Sequence, residues 1–458
     1  MTNHYDAIVI GAGQAGPALA EQLGKAGYRT AIVERHLLGG TCVNVGCIPT
    51  KTLVGSARIA NYARRAAEFG VDVGNVSVDM ARVKARKDEV AGASSEGVTA
   101  WIDGMENVDL IRGHARFTGP NTIDVDGNAL SADRLFINVG ARARVPDLPG
   151  LASIEYLTNS AMMEIDFLPD HLLIVGGSYI GLEFAQMYRR FGANVTVVEM
   201  QDRLLAREDE DVSEAVREIL EAEGITVRLN AECISFESTA SGIRMGINCE
   251  DDSSPIDGSH VLLAIGRVPN THDLGLENAG IDIDDRGFIV VDDALRTSSE
   301  QVWALGEVNA RGAFTHTSWN DFEIVAANHL DQDRRRVSDR IPCYGLYIDP
   351  PLGRVGMTER EVRASGIKAL IGTRPMSRVG RAREFGETRG FMKILVDADS
   401  KQSLGASILG LNGDEVVHSL LDLMYAREPY TVISRGVHIH PTVSELLPTV
   451  LQELEPLQ

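Results

Sequence analysis

The chain has few cysteines, few aromatic residues and too few basic side chains to balance its acidic ones. Aromatic residues make up 5% of its 458 residues and charged residues 24%, a composition typical of ordinary globular proteins rather than of disordered or fibrous ones. Lys and Arg total 44 against 65 Asp and Glu, a net charge of −21. Such a charge repels phosphate backbones and anionic lipid surfaces, so we expect neither nucleic acid nor a membrane as a partner.

Long hydrophobic runs are also absent, since none approaches the roughly 18 residues needed to cross a bilayer. The first residues, MTNHYDAIVIGAG, enter a strand-like pattern without a basic stretch or a small-residue cleavage site. The five cysteines are Cys42, Cys47, Cys233, Cys249 and Cys343. This odd, sparse set does not suit a secreted disulfide framework, so we expect a cytoplasmic protein in which a bond between Cys42 and Cys47 would be catalytic.

An internal repeat organises the chain, which is too long for one domain because a single core rarely exceeds about 300 residues. Residues 6–34 and residues 171–199 each read as a strand, a Gly-rich turn, an amphipathic helix and a second strand that ends in Glu. Each segment is therefore a predicted βαβ unit. Two such units predict two dinucleotide sites.

The repeat places matching residues at the two predicted nucleotide turns. They are Gly11, Gly13, Gly16 and Glu34 in the first copy, and Gly176, Ser178, Gly181 and Glu199 in the second. The glycines allow a tight turn, close approach to a pyrophosphate and close helix packing, while the Glu accepts hydrogen bonds from a ribose. Ser178 departs from the pattern because it adds a side chain where the backbone meets phosphate.

Coarse patterns describe the rest of the chain. Residues 56–105 and 314–332 are predicted to be mostly helical, and residues 108–140 to form short strands. From about residue 341 strands and helices alternate without a Gly-rich nucleotide loop. This last part is predicted to pack against other parts or to oligomerise.

The segment GGTCVNVGCIPTK, residues 39–51, holds the neighbouring cysteines. In a regular helix residues five apart are separated by about 7.5 Å of rise, whereas a disulfide needs Cα atoms roughly 4.4–6.8 Å apart. A bond between Cys42 and Cys47 therefore requires a distorted helix, which Gly46 and Pro49 favour. A sulfur near a helix start is also held as a thiolate by the helix dipole.

This segment resembles that of the flavin-dependent pyridine nucleotide–disulfide oxidoreductases, which include dihydrolipoamide dehydrogenase, glutathione reductase and mercuric reductase. Further segments that match the family are GAGQAG, GHARF, FINVGARARVPDLPG, GGSYIGLE, IGRVPN, VWALGEV, YIDPPLGRVGMTE and HIHPTVSE. The resemblance implies an α/β fold with two Rossmann-like dinucleotide-binding domains and an α+β C-terminal dimerisation domain. It implies an FAD domain at 1–145 and 271–340, an NAD(P)H domain at 146–270 and a dimer-interface domain at 341–458.

The resemblance also implies roles near the flavin. Cys47 is similar to the family's flavin-proximal thiolate and Cys42 to the thiol that attacks substrate. Lys51 and Glu183 match a pair beside the reactive nitrogen of the flavin, although an ordinary surface ion pair is the alternative. Tyr179 matches a ring that shields the flavin until nicotinamide enters, although it could simply pack.

Other residues are implied as cofactor contacts. They are Gly40, Thr41, Lys51, His114, Ala115, Gly140, Gly266 and Glu307. Glu307 stands where the family usually has an Asp that contacts the ribityl chain, so the contact there is expected to shift. No resident metal site is expected.

HIHPTVSE supplies a proton-transfer pair. An imidazole exchanges protons near neutral pH, and thiol–disulfide exchange needs a thiolate. His440 and Glu445 match the family's acid–base dyad, which acts on the dithiol of the other subunit, so the resemblance implies a homodimer. For His438 packing is the favoured interpretation, with a metal-binding His-x-His as the alternative.

These residues predict an enzyme that passes electrons from NADH, or less readily NADPH, through FAD and Cys42–Cys47 to a disulfide, a soft metal ion or another oxidised acceptor. Residues 313–325 resemble the mercuric-reductase-like and reactive-chlorine-resistance flavoproteins more than dihydrolipoamide dehydrogenases. The final PTVLQELEPLQ lacks the cysteine pair of true mercuric reductases, so we expect a related activity. Dihydrolipoamide dehydrogenase is the first alternative and a non-catalytic redox sensor the second.

Overall fold

The computed structural model describes residues 3–240, 242–247 and 255–458, so Cys249 lies outside the described residues. The strands are β1 Asn3–Ile10, β2 Thr30–Glu34, β3 Val108–Arg112, β4 Ala115–Gly119, β5 Thr122–Val125, β6 Asn128–Ile137, β7 Ala141–Ala143, β8 His171–Val175, β9 Asn194–Val198, β10 Thr226–Arg228, β11 Ser235–Thr239, β12 Gly242–Gly246, β13 Ile256–Gly258, β14 His260–Leu263, β15 Arg267–Pro269, β16 Val302–Ala304, β17 Cys343–Leu346, β18 Leu352–Gly356, β19 Ala369–Pro375, β20 Phe391–Asp397, β21 Ser403–Leu409 and β22 Glu455–Pro456.

Helices connect most of these strands. They are α1 Gly16–Lys25, α2 Gly40–Asn44, α3 Cys47–Arg65, α4 Met80–Asp103, α5 Tyr179–Phe191, α6 Glu210–Ala222, α7 Thr315–Ala326, α8 Glu359–Ser365, α9 Gly380–Glu384, α10 Gly413–Val416, α11 His418–Tyr425, α12 Thr431–Ser434 and α13 Leu447–Gln452. No helix among the described residues is both long and apolar enough to span a membrane.

Two sheets carry the two repeated units; the first is mixed, with β5 and β4 antiparallel beyond β6, and the second is parallel. In the first, β3, β2, β1 and β6 lie side by side in parallel, and β16 returns from far along the chain to pair with β6. In the second, β10, β9, β8 and β14 are parallel. Each sheet places a Gly-rich turn at the carboxyl end of its central strand, where α/β proteins bind ligands.

A six-stranded antiparallel sheet, in the order β17-β18-β21-β20-β19-β22, forms the C-terminal part of the described chain. Its core includes Val355, Ile394 and Ile408, with α11 and α13 packed on it. The two α/β sheets and this antiparallel sheet confirm the predicted fold class. The domain boundaries stay a prediction.

The region 56–105, which was predicted to be mostly helical, is interrupted once. Residues 70–79 carry no helix and separate α3 from α4. Gly70 and Gly74 have φ angles of 75° and 71° there, values that glycine adopts without strain and that end a right-handed helix.

Candidate active site

The first Gly-rich turn is closed by contacts that leave no room for side chains. Gly11 has a φ of 102°, and a Cβ there would lie 2.4 Å from the Asn138 carbonyl oxygen. A Cβ at Gly16 would lie 2.2 Å from the Gly11 carbonyl oxygen, and one at Gly13 would lie 3.0 Å from Asn138 Oδ1. That Oδ1 accepts a hydrogen bond from Gly16 N at 3.0 Å. The side chain of Asn138 therefore holds the turn against the start of α1.

Glu34 lies beside this turn at the end of β2. Its Oε2 accepts a hydrogen bond from Ala12 N at 2.8 Å, and its Oε1 accepts one from His36 N at 2.7 Å. Each carboxylate oxygen keeps further acceptor capacity for a ribose hydroxyl. Because α1 also begins without a side-chain cap, its positive end suits a phosphate, and these residues fit a dinucleotide such as FAD.

The second turn repeats this geometry. A Cβ at Gly176 would lie 2.4 Å from the Ala264 carbonyl oxygen, and one at Gly181 would lie 2.1 Å from the Gly176 carbonyl oxygen. Glu199 Oε2 accepts from Gly177 N at 2.6 Å, and its Oε1 accepts from Gln201 N at 2.9 Å. The second turn therefore fits a second dinucleotide.

Ser178 is the exposed N-cap residue of α5 and has an extended backbone, with a φ of −110° and a ψ of −175°. Its side chain makes no cap hydrogen bond to the helix. The departure from glycine at this position therefore causes no backbone strain.

The two cysteines lie on either side of a break between helices. Asn44 ends α2 and Cys47 begins α3, with Gly46 in an irregular conformation between them. A Cβ at Gly46 would lie 2.7 Å from the Thr41 carbonyl oxygen, so the chain turns back on α2 here. This break, which a regular helix could not supply, brings the side chains of Cys42 and Cys47 into hydrogen-bonding contact as free thiols.

The two thiols differ electrostatically. The hydrogen bond from Cys42, the hydroxyl of Thr315 and the positive charge of Lys51 together lower the pKa of Cys47 to about 6. The contact with Cys47, together with burial, raises the pKa of Cys42. The surroundings of the pair therefore favour negative charge on Cys47 over negative charge on Cys42.

Lys51 and Glu183 form an ion pair that joins α3 to α5. Lys51 Nζ lies 2.8 Å from Glu183 Oε2, and the Glu183 side chain is only 6% exposed, so this is not a surface pair. The other carboxylate oxygen, Oε1, accepts from Tyr347 N at 3.0 Å. The Tyr347 ring faces Lys51 Nζ, with 4.5 Å between that nitrogen and the ring centroid, and thereby positions the ammonium group.

Tyr179 begins α5 within an aromatic cluster, which consists of Tyr179, Phe314, His316 and Tyr344. Its hydroxyl donates to Glu208 Oε1 at 3.4 Å, and the hydroxyl of Tyr344 donates to the same atom at 2.5 Å. Burial raises the pKa of both phenols and of Glu208. Tyr179 therefore packs within the aromatic cluster, which is the alternative that its sequence position left open. Its role as a shield for the flavin stays a prediction.

Glu307 contacts an arginine that sequence reasoning did not single out. Both Glu307 oxygens accept from Arg267 Nε, at 2.7 and 2.9 Å, and Arg267 also donates to the carbonyl oxygen of Ala141. The signal was present in the segment IGRVPN, which places this Arg directly after Gly266. The longer side chain of Glu307 is therefore held by Arg267 beside the β7–β15 pair.

The remaining predicted cofactor residues lie at turns around these elements. His114 Nε2 contacts the Asp273 carbonyl oxygen at 3.2 Å, and Ala115 begins β4. Gly140 and Gly266, both with positive φ, flank β7 and β15. Gly40 and Thr41 begin α2, with Gly40 packed so closely that a Cβ would lie 2.9 Å from Gly13 Cα.

His440 and Glu445 form the expected pair near the C-terminus. His440 Nδ1 lies 2.8 Å from Glu445 Oε2 and 3.0 Å from Oε1. The His440 side chain is 80% exposed, and no recorded hydrogen bond among the described residues joins it to a cysteine of its own chain. The neighbouring apolar residues Val437 and Ile439 are exposed, as expected for a segment that a second subunit would cover. His438 contacts the Gly436 carbonyl oxygen at 3.3 Å.

Comparison with known proteins identifies the family. Residues 5–321 match the pyridine nucleotide-disulphide oxidoreductase family, and residues 343–451 match the dimerisation domain of that family. The chain belongs to this family. The predicted family is confirmed, as is the prediction that the chain is a flavoprotein oxidoreductase. The family uses FAD and a pyridine nucleotide.

Individual relatives cover nearly the whole chain. The probable pyridine nucleotide-disulfide oxidoreductase RclA of Escherichia coli strain K12 is 36% identical over 97% of this chain and 98% of its own length. A dihydrolipoyl dehydrogenase of Thermus scotoductus is 32% identical over 96% of this chain and 95% of its own length. The solved copper(II) complex of the HOCl-induced flavoprotein disulfide reductase RclA from Escherichia coli aligns with a TM-score of 0.90 at 34% identity, covering 98% of this chain and 99% of that one.

Proposed function

We propose that this chain passes electrons from NAD(P)H, through FAD and a Cys42–Cys47 redox disulfide, to a disulfide, a soft metal ion or another oxidised acceptor. The observation that carries the proposal is the asymmetric pair of sulfurs, one favoured as a thiolate near Lys51 and the other as a thiol. Reduction of a disulfide by two electrons with uptake of one proton yields one thiolate and one thiol. The surroundings of the pair therefore favour its reduced form with one thiolate and one thiol.

The two turns divide the cofactors between them. The first turn with Glu34 would hold FAD, and the second with Glu199 would hold the nicotinamide dinucleotide. When bound, the flavin accepts a hydride from the nicotinamide and delivers electrons to a disulfide. Lys51 and Glu183 would hold its reactive end, and Tyr179 would cover that end until the nicotinamide enters. The other proposed cofactor contacts are Gly40, Thr41, His114, Ala115, Gly140, Gly266 and Glu307.

Proton transfer would come from a second copy of the chain. In the proposed homodimer, His440 of one copy takes the proton from the Cys42 thiol of the other and returns it when the acceptor is released. Glu445 orients the imidazole through the 2.8 Å hydrogen bond. Because a catalytic dithiol needs a compartment that keeps thiols reduced, we also propose a cytoplasmic location.

The roles of the two sulfurs can be tested by spectroscopy. Two-electron reduction should produce a long-wavelength absorption band from charge transfer between the Cys47 thiolate and the flavin. Cys42→Ser should show the band without reduction, and Cys47→Ser should lack it. A band in Cys47→Ser would assign the sulfurs the wrong way round.

The dyad can be tested by separating the half-reactions. His440→Ala should slow turnover by about 10²- to 10⁴-fold, the usual contribution of general acid–base catalysis, while flavin reduction by NADH stays nearly unchanged. Stopped-flow absorbance measures both steps. Equal slowing of both would mean that His440 acts only in folding or assembly.

The electron acceptor of the proposed reaction is the next question. Similarity to a protein solved as a copper(II) complex, and 30% identity to a mercuric reductase of Bacillus cereus, favour a soft metal ion. Similarity to dihydrolipoyl dehydrogenases keeps dihydrolipoamide as the alternative substrate. Anaerobic NADH oxidation with disulfides, Cu(II), Hg(II), quinones and hypochlorite, beside dihydrolipoamide with NAD, decides between them. Absence of NADH turnover with every acceptor would favour the redox sensor.

A further inference from the structure

Thr315 places its hydroxyl on the sulfur of Cys47, from a part of the chain 268 residues away. The distance from Thr315 Oγ1 to Cys47 Sγ is 3.2 Å. A thiolate cannot donate a hydrogen bond, so in the charged form of Cys47 the hydroxyl must be the donor. The contact therefore favours the thiolate over the thiol.

The hydroxyl of Thr315 is not occupied by helix capping. Thr315 is the first residue of α7, and the capping contacts at this end belong to Thr317, whose Oγ1 accepts from Phe314 N at 3.1 Å and donates to the Phe314 carbonyl oxygen at 2.7 Å. The start of the 12-residue α7 also points its positive end toward the sulfur. The Thr315 hydroxyl is therefore available to the cysteine pair; it lies 3.2 Å from Cys47 Sγ and also interacts with Cys42.

Anchors on both sides hold Thr315 in place. His316 Nε2 contacts the Cys343 carbonyl oxygen at 2.7 Å, and the Phe314 ring stacks on Tyr344 with 5.4 Å between centroids. Within α7, buried Asp321 accepts from Gly306 N at 2.8 Å. A donor fixed in this way loses little freedom when the thiolate forms.

We propose that Thr315 is a thiolate-stabilising residue whose hydroxyl donates to the sulfur of Cys47 in the reduced pair. The proposal rests on the proposed function only in taking these two cysteines as the redox pair. Loss of a hydrogen bond to a charged group should move the titration of Cys47 upward by about one pH unit. The thiolate is lost as the pH falls through the midpoint, so the variant should lose it at a higher pH than the natural chain.

Alkylation of the reduced, flavin-loaded full chain tests this. Iodoacetamide is applied over a pH series, and peptide fragmentation assigns the label to Cys42 or Cys47. Thr315→Val should raise the pH midpoint for Cys47 labelling by about one unit, whereas Thr315→Ser should keep the natural midpoint. Thr317→Val is the matched control, because it disturbs the start of α7 without touching the sulfur.

An unchanged midpoint in Thr315→Val, an equal rise in Thr315→Ser or an equal rise in Thr317→Val would each overturn the proposal. If Thr315→Val does not fold, Thr315→Ala takes its place with the same expected rise. NADH turnover is measured separately on the natural chain. A midpoint that responds to Thr315 in a chain without NADH turnover would reject the proposed function and leave the role of Thr315 standing.

Discussion

The two Gly-rich turns have nearly the same backbone and differ in what stands behind them. In both, the first glycine meets the carbonyl oxygen of the residue that follows a neighbouring parallel strand, Asn138 in the first turn and Ala264 in the second, at 2.4 Å from its hypothetical Cβ. The side chain of Asn138 reaches the turn and accepts from Gly16 N. The methyl group of Ala264 offers no such acceptor.

This difference explains the residue at the middle position. Gly13 has Asn138 Oδ1 3.0 Å from the place of a Cβ, so a side chain there would push against the group that holds α1. Ser178 is exposed and faces a turn that lacks this group. Whether the middle position must be glycine is therefore decided by a residue more than 80 positions away, not by the turn alone.

The largest expected effect comes from the feature that both turns share, a last glycine packed against a main-chain oxygen. Gly16→Ala should remove bound flavin, whereas Gly181→Ala should leave flavin bound and abolish its reduction by NADH. In each case the new Cβ would lie only 2.2 or 2.1 Å from a main-chain oxygen, so the backbone must move. We expect losses above about 100-fold, since overpacking by this much costs about 3 kcal/mol or more. Flavin content and stopped-flow reduction of the bound flavin measure them, and loss of bound flavin in Gly181→Ala would undo the division of cofactors between the turns.

The next effect concerns nucleotide choice, for which Glu199 is the counterpart of Glu34. Its carboxylate can bind a ribose diol but repels an added 2′-phosphate, and Arg203, the first cation that follows, offsets only part of this. We expect kcat/KM to favour NADH over NADPH by about 10- to 100-fold, or about 1–3 kcal/mol. Glu199→Ala should bring the ratio near one, while Glu34→Ala should leave it unchanged. Equal kcat/KM values in the natural chain would show that Glu199 does not face the ribose.

A smaller effect should follow from exchanging the residues in which the two turns differ, at the middle position and behind the turn. Gly13→Ser should weaken flavin binding about tenfold, because it crowds the Oδ1 of Asn138, and Ser178→Gly should change nicotinamide binding less than twofold. Ala264→Asn should weaken nicotinamide binding in the natural chain, because the new side chain would crowd Ser178. The loss should be smaller when Ala264→Asn is combined with Ser178→Gly. Titrations of both nucleotides measure this. Additive effects of Ala264→Asn and Ser178→Gly would mean that the middle position and the residue behind the turn are independent.

Local patterns in the sequence were enough to find both turns, because strand, turn and helix follow one another within about 30 residues. The spacing of Cys42 and Cys47 likewise predicted a distorted helix, and the chain breaks at Gly46. The sequence did not predict the contacts of Thr315 and Arg267, because these residues reach their partners only through tertiary packing, across 268 and 40 residues of sequence. The stretch 56–105, predicted to be mostly helical, is interrupted at residues 70–79, where Gly70 and Gly74 have positive φ angles.

The smallest expected effect lies at the ion pair formed by Lys51 of α3 and Glu183 of α5. The Tyr347 ring faces Lys51 Nζ at 4.5 Å, while its backbone N–H, which is kept in Leu and Phe variants, donates to Glu183. Tyr347→Leu therefore removes only the interaction of the ring with the cation, about 0.5–1 kcal/mol, and should slow flavin reduction by NADH about two- to fivefold. Tyr347→Phe keeps the ring and should match the natural rate in stopped-flow measurements. If Tyr347→Phe is as slow as Tyr347→Leu, the hydroxyl rather than the ring positions the ammonium group of Lys51.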